Sequence, residues 1–164
     1  MHEYVNNYRQ VSDEQAEIII NKVNGRNILE IGHCAGYLTL KFSEICDKVT
    51  AIDRANNFFS PDLQYHILKN GISNIEHSLV ESEYMWLKEN NNKFDVIYIH
   101  DIDTNISDLI KNLEKDTTVA KRVIYRVEGD ITHKDIKPQP TIVKEVVEVV
   151  KTKQSKTSKK TSTD

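Results

Sequence analysis

The sequence predicts a doubly wound α/β sandwich, in which about five mainly parallel strands carry helices on both faces. Segments with strand-like patterns and segments with helical periodicity alternate five times along the chain. Residues 94–99 are apolar except for Asp95, which is typical of a strand in the middle of a parallel sheet. A turn containing two glycines joins the first strand directly to a helix, an arrangement typical of nucleotide-binding folds.

Length and composition indicate a single soluble domain. The chain has 164 residues, a length sufficient for one substantial core. Its residues are 38% hydrophobic and 29% charged, which is ordinary for a soluble protein. No apolar run approaches the ~20 residues of a membrane span, and the N-terminus lacks the pattern of a signal peptide. Cys34 and Cys46 form neither a disulfide framework nor metal-ligand spacing. We therefore expect a cytoplasmic protein.

Charge is distributed unevenly along the chain. The net charge is −3, but residues 151–164 contain five lysines and one acid, which leaves 17 basic and 24 acidic residues, or −7, for the rest. An acidic body argues against nucleic acid as the main partner, apart from weak contacts through the tail. The sequence therefore divides into an N-terminal segment (1–11), an α/β domain (12–150) and a disordered tail (151–164) rich in Lys, Ser and Thr.

The first half of the domain has clear helix signals. Residues 1–10 are polar, and we expect them to be loose or to cover the ligand site. Ser12 and Gln15 form a capping box, and Gly25 is expected to end the helix that follows. Another helix begins at Ser60-Pro61 and stops at Gly71. The expected buried stripes of the three helices are Ala16, Ile19, Ile20 and Val23; Leu38, Phe42 and Ile45; and Leu63, Ile67 and Leu68.

The second half contains two further helices and a fifth strand. Tyr84, Trp86 and Leu87 belong to a short helix, and Ile106, Leu109, Ile110 and Leu113 make a helical stripe in a longer one. Residues 122–127 form a strand whose charge places it nearer a sheet edge. Residues 141–150 fit a strand by their valines and a helix by their spacing, and we interpret them as a helix.

The turn after the first strand is the most informative stretch. Glu30 ends an apolar run, Gly32 and Gly36 follow, and Asp53 ends the second strand about 20 residues later. Dinucleotide folds require three glycines here, but Cys34 and Tyr37 replace two of them. Because Glu30 would repel a pyrophosphate, the turn suits a cationic ligand better.

These residues resemble a known pair of motifs. Glu30-Ile31-Gly32, Gly36-Tyr37 and Ala51-Ile52-Asp53 are similar to the first two motifs of the Rossmann-like class I S-adenosylmethionine-dependent methyltransferases. In that family the glycine turn passes the methionine part of the cofactor, and the acid at the end of the second strand binds the ribose. Cys34 departs from the usual central glycine.

The resemblance also implies an adenine site at Glu81-Ser82. The acid can accept a hydrogen bond from the amino group of adenine, and an N–H can donate one to a ring nitrogen of adenine. S-adenosyl-L-methionine is therefore the expected cofactor. The residues expected to bind it are Glu30, Gly32, His33, Gly36, Tyr37, Asp53, Arg54, Glu81 and Ser82.

His100-Asp101-Ile102-Asp103 is the expected reaction edge. The segment resembles, in composition more than in order, the Ile-Asp-Gly-Asp-His segment of a small-molecule O-methyltransferase branch. His100 is a candidate general base, oriented by Asp101 or Asp103, because imidazole suits proton removal near neutral pH. Alternatively these residues ligate a divalent metal with Asp130 or His133, or form only a polar loop and a helix cap.

The leading prediction is a methyltransferase that acts on a small molecule. The alternatives are a cofactor-binding protein without transfer activity, such as a scaffold or sensor, an enzyme that cleaves the sulfonium, and, more distantly, a nicotinamide-dependent reductase. The family's usual terminal pair of strands has no counterpart in the sequence after residue 150, which favours the first alternative. We expect the uncovered sheet edge to pair with another subunit, giving a homo-oligomer, or to be shielded by the N-terminal segment.

Overall fold

The computed structural model describes residues 11–23, 25–56, 60–90, 94–100, 108, 109, 111, 113, 120–127 and 130–135. Predictions for residues 1–10, 101–107, 141–150 and 151–164 lie outside these described residues. Leu109 and Leu113, from the predicted longer helix, are among the described residues. Both have helical backbone, and both are buried.

One sheet of six strands forms the centre of the fold, in the order β3-β2-β1-β4-β5-β6. The strands are β1 (Asn27–Ile31), β2 (Lys48–Arg54), β3 (Ile75–Val80), β4 (Phe94–Ile99), β5 (Ala120–Val127) and β6 (Asp130–Asp135). The first five run parallel, and β6 pairs antiparallel with β5. The predicted doubly wound, mainly parallel α/β fold is confirmed.

Helices precede and connect the parallel strands. α1 (Asp13–Lys22) precedes β1, and α2 (Tyr37–Ile45), α3 (Ser60–Asn70) and α4 (Glu83–Glu89) each connect one parallel strand to the next. The predicted capping box is present, because the Gln15 N–H donates to Ser12 Oγ and the Ser12 N–H donates to the Gln15 side chain. Gly71 follows α3 with a φ of 61°, a left-handed conformation that glycine adopts at little cost. None of the helices in the described part of the chain has the length and apolar character that a membrane span requires.

A hydrophobic core lies on each face of the sheet, as expected where helices cover both faces. On one face, the rings of Phe42 and Tyr98 meet edge to face with centroids 5.7 Å apart. On the other, Leu29, Ile31 and Ile97 are fully buried in a second cluster, against which Trp86 packs. The central strands are therefore enclosed, and only their ends are open to ligands.

Three sequence predictions about individual residues are wrong. The sequence predicts buried positions for Ile45 and Leu68, but they are 51% and 74% exposed, because Ile45 is the last residue of α2 and Leu68 lies off the face of α3 that Leu63 and His66 bury. Gly25 was assigned to the helix end, but α1 stops at Lys22, and Val23 is its C-cap. Gly25 instead packs so closely on Asp95 that a Cβ would overlap the Asp95 side chain.

The sixth strand changes the expected edge of the sheet. The sequence predicts a last strand at residues 122–127 and offers Asp130 as an alternative metal ligand. In the structure Asp130 begins β6, which covers the outer side of β5 from Arg122 to Val127. The edges of the described sheet are therefore β3 and β6. Pairing of an edge with another subunit stays a prediction, which light scattering on the purified protein would test.

Candidate functional site

The strand order reverses at the carboxyl end of β1, where a ligand-binding crevice is expected. From β1 the chain moves outward to β2 and β3, then returns to the other side of β1 as β4. Such a reversal of strand order is where open α/β sheets bind ligands. Two backbone bonds hold this end together: the Gly32 N–H donates to Ile52 O, and the His100 N–H donates to Ile31 O, each at 2.9 Å.

The turn between β1 and α2 contains three residues with left-handed backbone. Gly32, Cys34 and Gly36 have φ values of 81°, 50° and 85°. At Gly36 a Cβ would also lie 2.5 Å from Leu63 Cδ1, so both conformation and space require glycine there. Cys34 takes the same unusual conformation with a side chain attached, and a residue of this kind is kept there by bonds to its surroundings.

Asp53 provides one of those bonds. Its Oδ2 accepts the backbone N–H of Cys34 at 2.9 Å, and its Oδ1 accepts the N–H of Arg54 at 2.7 Å. The structure therefore brings the predicted ribose-binding acid directly against the turn. An ionised carboxylate has about four lone-pair positions, so two N–H bonds do not by themselves exclude ribose hydroxyls.

Glu30 lies below the turn and is 1% exposed. The Thr39 hydroxyl donates to its Oε2 at 2.5 Å. Burial raises the pKa of Glu30 to about 8; the Thr39 bond opposes this rise and the charge of Asp53 adds to it. At neutral pH the carboxyl group is therefore mainly protonated and does not offer the negative charge expected from the sequence. Its hydrogen bond with Thr39 joins the end of β1 to α2 below the turn.

His33 faces β3 from the turn. Its Nδ1 lies 2.9 Å from the Cys34 carbonyl oxygen, and its Nε2 lies 3.0 Å from Nε2 of His77. The same His77 nitrogen is 3.2 Å from Ser60 Oγ at the start of α3. Burial, followed by the effect of His77, lowers the pKa of His33 to about 3, so this imidazole is neutral at physiological pH.

Tyr37 does not flank the crevice as expected. It is buried in the core, and its hydroxyl donates to Asp13 Oδ1 at 3.1 Å, which ties α2 to α1. Arg54 turns toward α4, where its Nε donates to the buried carboxylate of Glu83 at 3.0 Å. Its Nη2 is buried without a hydrogen-bond partner among the described residues.

The predicted adenine-binding pair has different surroundings. Glu81 is exposed and directly follows the end of β3. Ser82 is the N-cap of α4, and its Oγ accepts the Met85 N–H at 3.3 Å. Ser82 therefore has a structural role in addition to any contact that its backbone makes.

His100 is buried between two side chains. A guanidinium can only donate, so Nε2 of His100 accepts from Arg126 Nη1 at 3.3 Å, and Nδ1–H then donates to the Tyr98 hydroxyl at 3.0 Å. Burial, with a further contribution from Arg126, lowers the pKa of His100 to about 4. A general base needs an available lone pair and a pKa near the working pH, so this arrangement argues against that role.

The rest of the expected reaction edge is only partly described. Asp101 and Asp103 lie outside the described residues. His133 lies on β6, with Nδ1 3.2 Å from Lys22 Nζ. Within the described ranges, no group of three or more His, Cys, Asp or Glu side chains is arranged to hold a metal ion.

Sequence reasoning missed three residues that the fold brings to this region: His77, Glu83 and Arg126. None of the three is among the site residues that the sequence predicts. Their partners lie 44, 29 and 26 positions away in sequence. Arg126 lies near the end of β5 and Glu83 follows the end of β3, but His77 lies in the middle of β3, where no local signal marks it.

Comparisons with known proteins support the fold. The sequence matches no protein-family model and no curated protein. Solved structures do match. One is a Staphylococcus aureus protein assigned as a caffeoyl-CoA O-methyltransferase, with a TM-score of 0.59, 25% identity and 74% of this chain covered. Another is a dimethyladenosine transferase from Plasmodium falciparum, with a TM-score of 0.56, 24% identity and 70% of this chain covered.

A third similar structure is the N-terminal domain of EvdMO1 with SAH bound, with a TM-score of 0.55, 13% identity and 76% of this chain covered. The present chain spans 61%, 40% and 52% of the lengths of these three chains, respectively. The names of these neighbours refer to a methyltransferase, a dimethyladenosine transferase and an SAH-bound domain, and at these identities the similarity shows that this chain has a Rossmann-like α/β fold.

Proposed function

We propose that this protein binds S-adenosylmethionine at the turn after β1 and transfers its methyl group to a small-molecule acceptor. The observation that carries the proposal is the junction of Asp53 with the turn, at the point where strand order reverses. A carboxylate beside left-handed backbone offers acceptors for ribose hydroxyls and open main chain for the amino-acid part of a cofactor.

The residues present fit such a cofactor in their chemistry. Gly32, Cys34 and Gly36 would pass the methionine part, Asp53 would accept from the ribose, and Glu81 would accept from the adenine amino group. The sulfonium supplies an activated methyl group when it is bound. The task of the protein is then mainly to align the acceptor with that methyl group.

The acceptor class is the finer part of the proposal. The names of the structural neighbours refer to different acceptors, so the fold does not select among them. The acidic body, with 17 basic and 24 acidic residues before the tail, disfavours a nucleic acid acceptor and supports a small molecule. An alcohol or amine acceptor must lose a proton, and we propose that His100, Asp101 and Asp103 remove it. His100 accepts a hydrogen bond from Arg126, so it would act as the base only after that bond breaks.

Calorimetry tests cofactor binding. We expect S-adenosylmethionine and S-adenosylhomocysteine to bind and NAD to show no heat of binding. Asp53→Ala should weaken binding by about 10-fold or more, because it removes both a ligand contact and a restraint on the turn. Asp47→Ala is the matched control, since Asp47 flanks the amino end of the same strand and its side chain is 69% exposed. Equal affinities of the two variants would contradict the site.

A second candidate function is cofactor binding without transfer. The observation that favours it is the engagement of His100 by Arg126, together with its low pKa. Incubation of the protein with S-adenosylmethionine and a mixture of phenols, catechols and amines distinguishes the possibilities by mass spectrometry. Methylated acceptor with S-adenosylhomocysteine supports transfer, methylthioadenosine formed without acceptor indicates cleavage, and unchanged cofactor supports a binding protein.

A further inference from the structure

We infer that His77, acting through His33, is a positioning residue that holds Cys34 and hence the whole turn in its ligand-binding conformation. This inference rests on the proposed function only for the identity of the ligand. The coupling between β3 and the turn is a property of the protein alone.

The backbone of Cys34 is restrained on both sides. Its N–H donates to Asp53 at 2.9 Å, and its carbonyl oxygen lies 2.9 Å from Nδ1 of His33. A carbonyl can only accept, so His33 carries its proton on Nδ1. Together the two bonds keep a residue with a side chain at a φ of 50°, where L-residues are otherwise rare.

The tautomer of His33 determines that of His77. Because Nδ1 of neutral His33 is protonated, its Nε2 is an acceptor, and the Nε2 of His77 at 3.0 Å must be the donor. Ser60 Oγ, at 3.2 Å from the same nitrogen, then accepts as well. The result is a directed chain of hydrogen bonds from β3 to the carbonyl of Cys34.

The surroundings keep this chain in place. His33 and Ser60 are 3% and 5% exposed, and the two imidazoles meet edge to face with an interplanar angle of 77°. Burial lowers the pKa of His77 also, although the nearby carboxylate of Asp53 opposes this effect. Both rings are therefore neutral near pH 7, which is the state that the directed chain requires. The Cys34 thiol, on the restrained residue itself, is partly exposed and can report on movement of the turn.

Simple core packing is the competing explanation, and substitutions of His77 separate it from positioning. Gln places an amide N–H near the position of Nε2 and can donate to His33, whereas Leu fills similar space without a donor. Asn retains the amide but is too short to reach His33. Positioning predicts that Gln preserves the turn and that Leu and Asn do not. Packing predicts that Leu is tolerated at least as well as Gln.

Two readouts are needed. The first is the affinity for S-adenosylhomocysteine by calorimetry, where we expect His77→Gln to stay within about twofold of wild type and His77→Leu to lose about 10-fold. The second is the rate of Cys34 alkylation by iodoacetamide at a single pH, mapped by mass spectrometry with the buried Cys46 as internal reference. We expect His77→Leu to react several-fold faster than wild type, and His77→Gln to react at the wild-type rate.

The outcomes separate the inference from the proposed function. Equal behaviour of Gln and Leu in the alkylation experiment overturns the inference. If wild type does not bind S-adenosylhomocysteine, the proposed function fails, and the alkylation rates alone decide the inference. If His77→Leu does not fold, as judged by circular dichroism, His77→Asn takes its place against His77→Gln with the same expected contrast.

Discussion

The carboxylate of Asp53 and the backbone N–H of Cys34 are joined by a 2.9 Å hydrogen bond across the carboxyl ends of β1 and β2. The acid expected to bind a ribose therefore also restrains the turn expected to pass the rest of the cofactor. Loss of the Asp53 carboxylate is accordingly expected to change ligand binding and the conformation of the turn together.

Cys34→Gly should stabilise the protein. The residue has a φ of 50°, where glycine has no steric penalty, and the bond to Asp53 uses the backbone and is kept. Relief of the left-handed strain exceeds the entropy that glycine adds to the unfolded chain, so we expect a gain of about 0.5–1 kcal/mol in the free energy of unfolding, measured by urea denaturation. Cys34→Ala is the control, because alanine keeps the strain. An equal gain from alanine would mean that the thiol, rather than the backbone, is unfavourable.

Glu30→Gln should change how stability depends on pH. The pKa of Glu30 is about 8 in the folded protein, against an ordinary value of 4.5, so between these two pH values the folded state binds a proton that the unfolded state does not. The contribution of Glu30 to stability is thus complete below pH 4.5 and is lost as pH rises through about 8. Urea denaturation at pH 5, 7 and 9 should show Glu30→Gln improving relative to wild type as pH rises. A constant difference across the three pH values would contradict the raised pKa.

His100→Gln should change how the free energy of unfolding depends on pH below pH 7. The pKa of His100 is lowered from 6.5 to about 4, so as pH falls through this window the unfolded state takes up a proton before the folded state does, and stability is lost. The variant cannot take up that proton. Its free energy of unfolding should therefore fall less than that of wild type between pH 7 and pH 4. His133→Gln, at an exposed position on β6, is the control for replacing a surface histidine. Parallel curves for wild type and His100→Gln would refute a neutral, buried His100.

Gly25→Ala should destabilise the protein more than Gly71→Ala. The new Cβ at position 25 would overlap the side chain of Asp95, which accepts the N–H groups of Arg26 and Asn27 at 2.9 and 3.0 Å. We expect a loss of about 1–3 kcal/mol, the usual range for overpacking. At Gly71, with a φ of 61° and open space around it, only backbone strain of about 1 kcal/mol applies. Thermal denaturation of both variants measures the contrast, and a larger loss at Gly71 would mean that Asp95 moves aside easily.

The sequence by itself determined the architecture and the general position of the candidate site. Periodicity distinguished strands from helices, and local chemistry marked boundaries such as the Ser12 capping box and the end of α3 at Gly71. Because parallel strands bring their carboxyl ends to one edge, the positions of Gly32, Gly36 and Asp53 in sequence were enough to predict that they lie together.

The tertiary structure alone decided which side chains act on the turn and in which protonation state. The partnership of His33 with His77, and of Arg54 with Glu83, depends on strand order and helix packing over 44 and 29 positions of sequence. The same packing buried Glu30 and His100, directed Tyr37 toward α1, and paired β6 with β5. Such outcomes are set by non-local burial and by the neighbours of each group, and a local pattern of residue types contains neither.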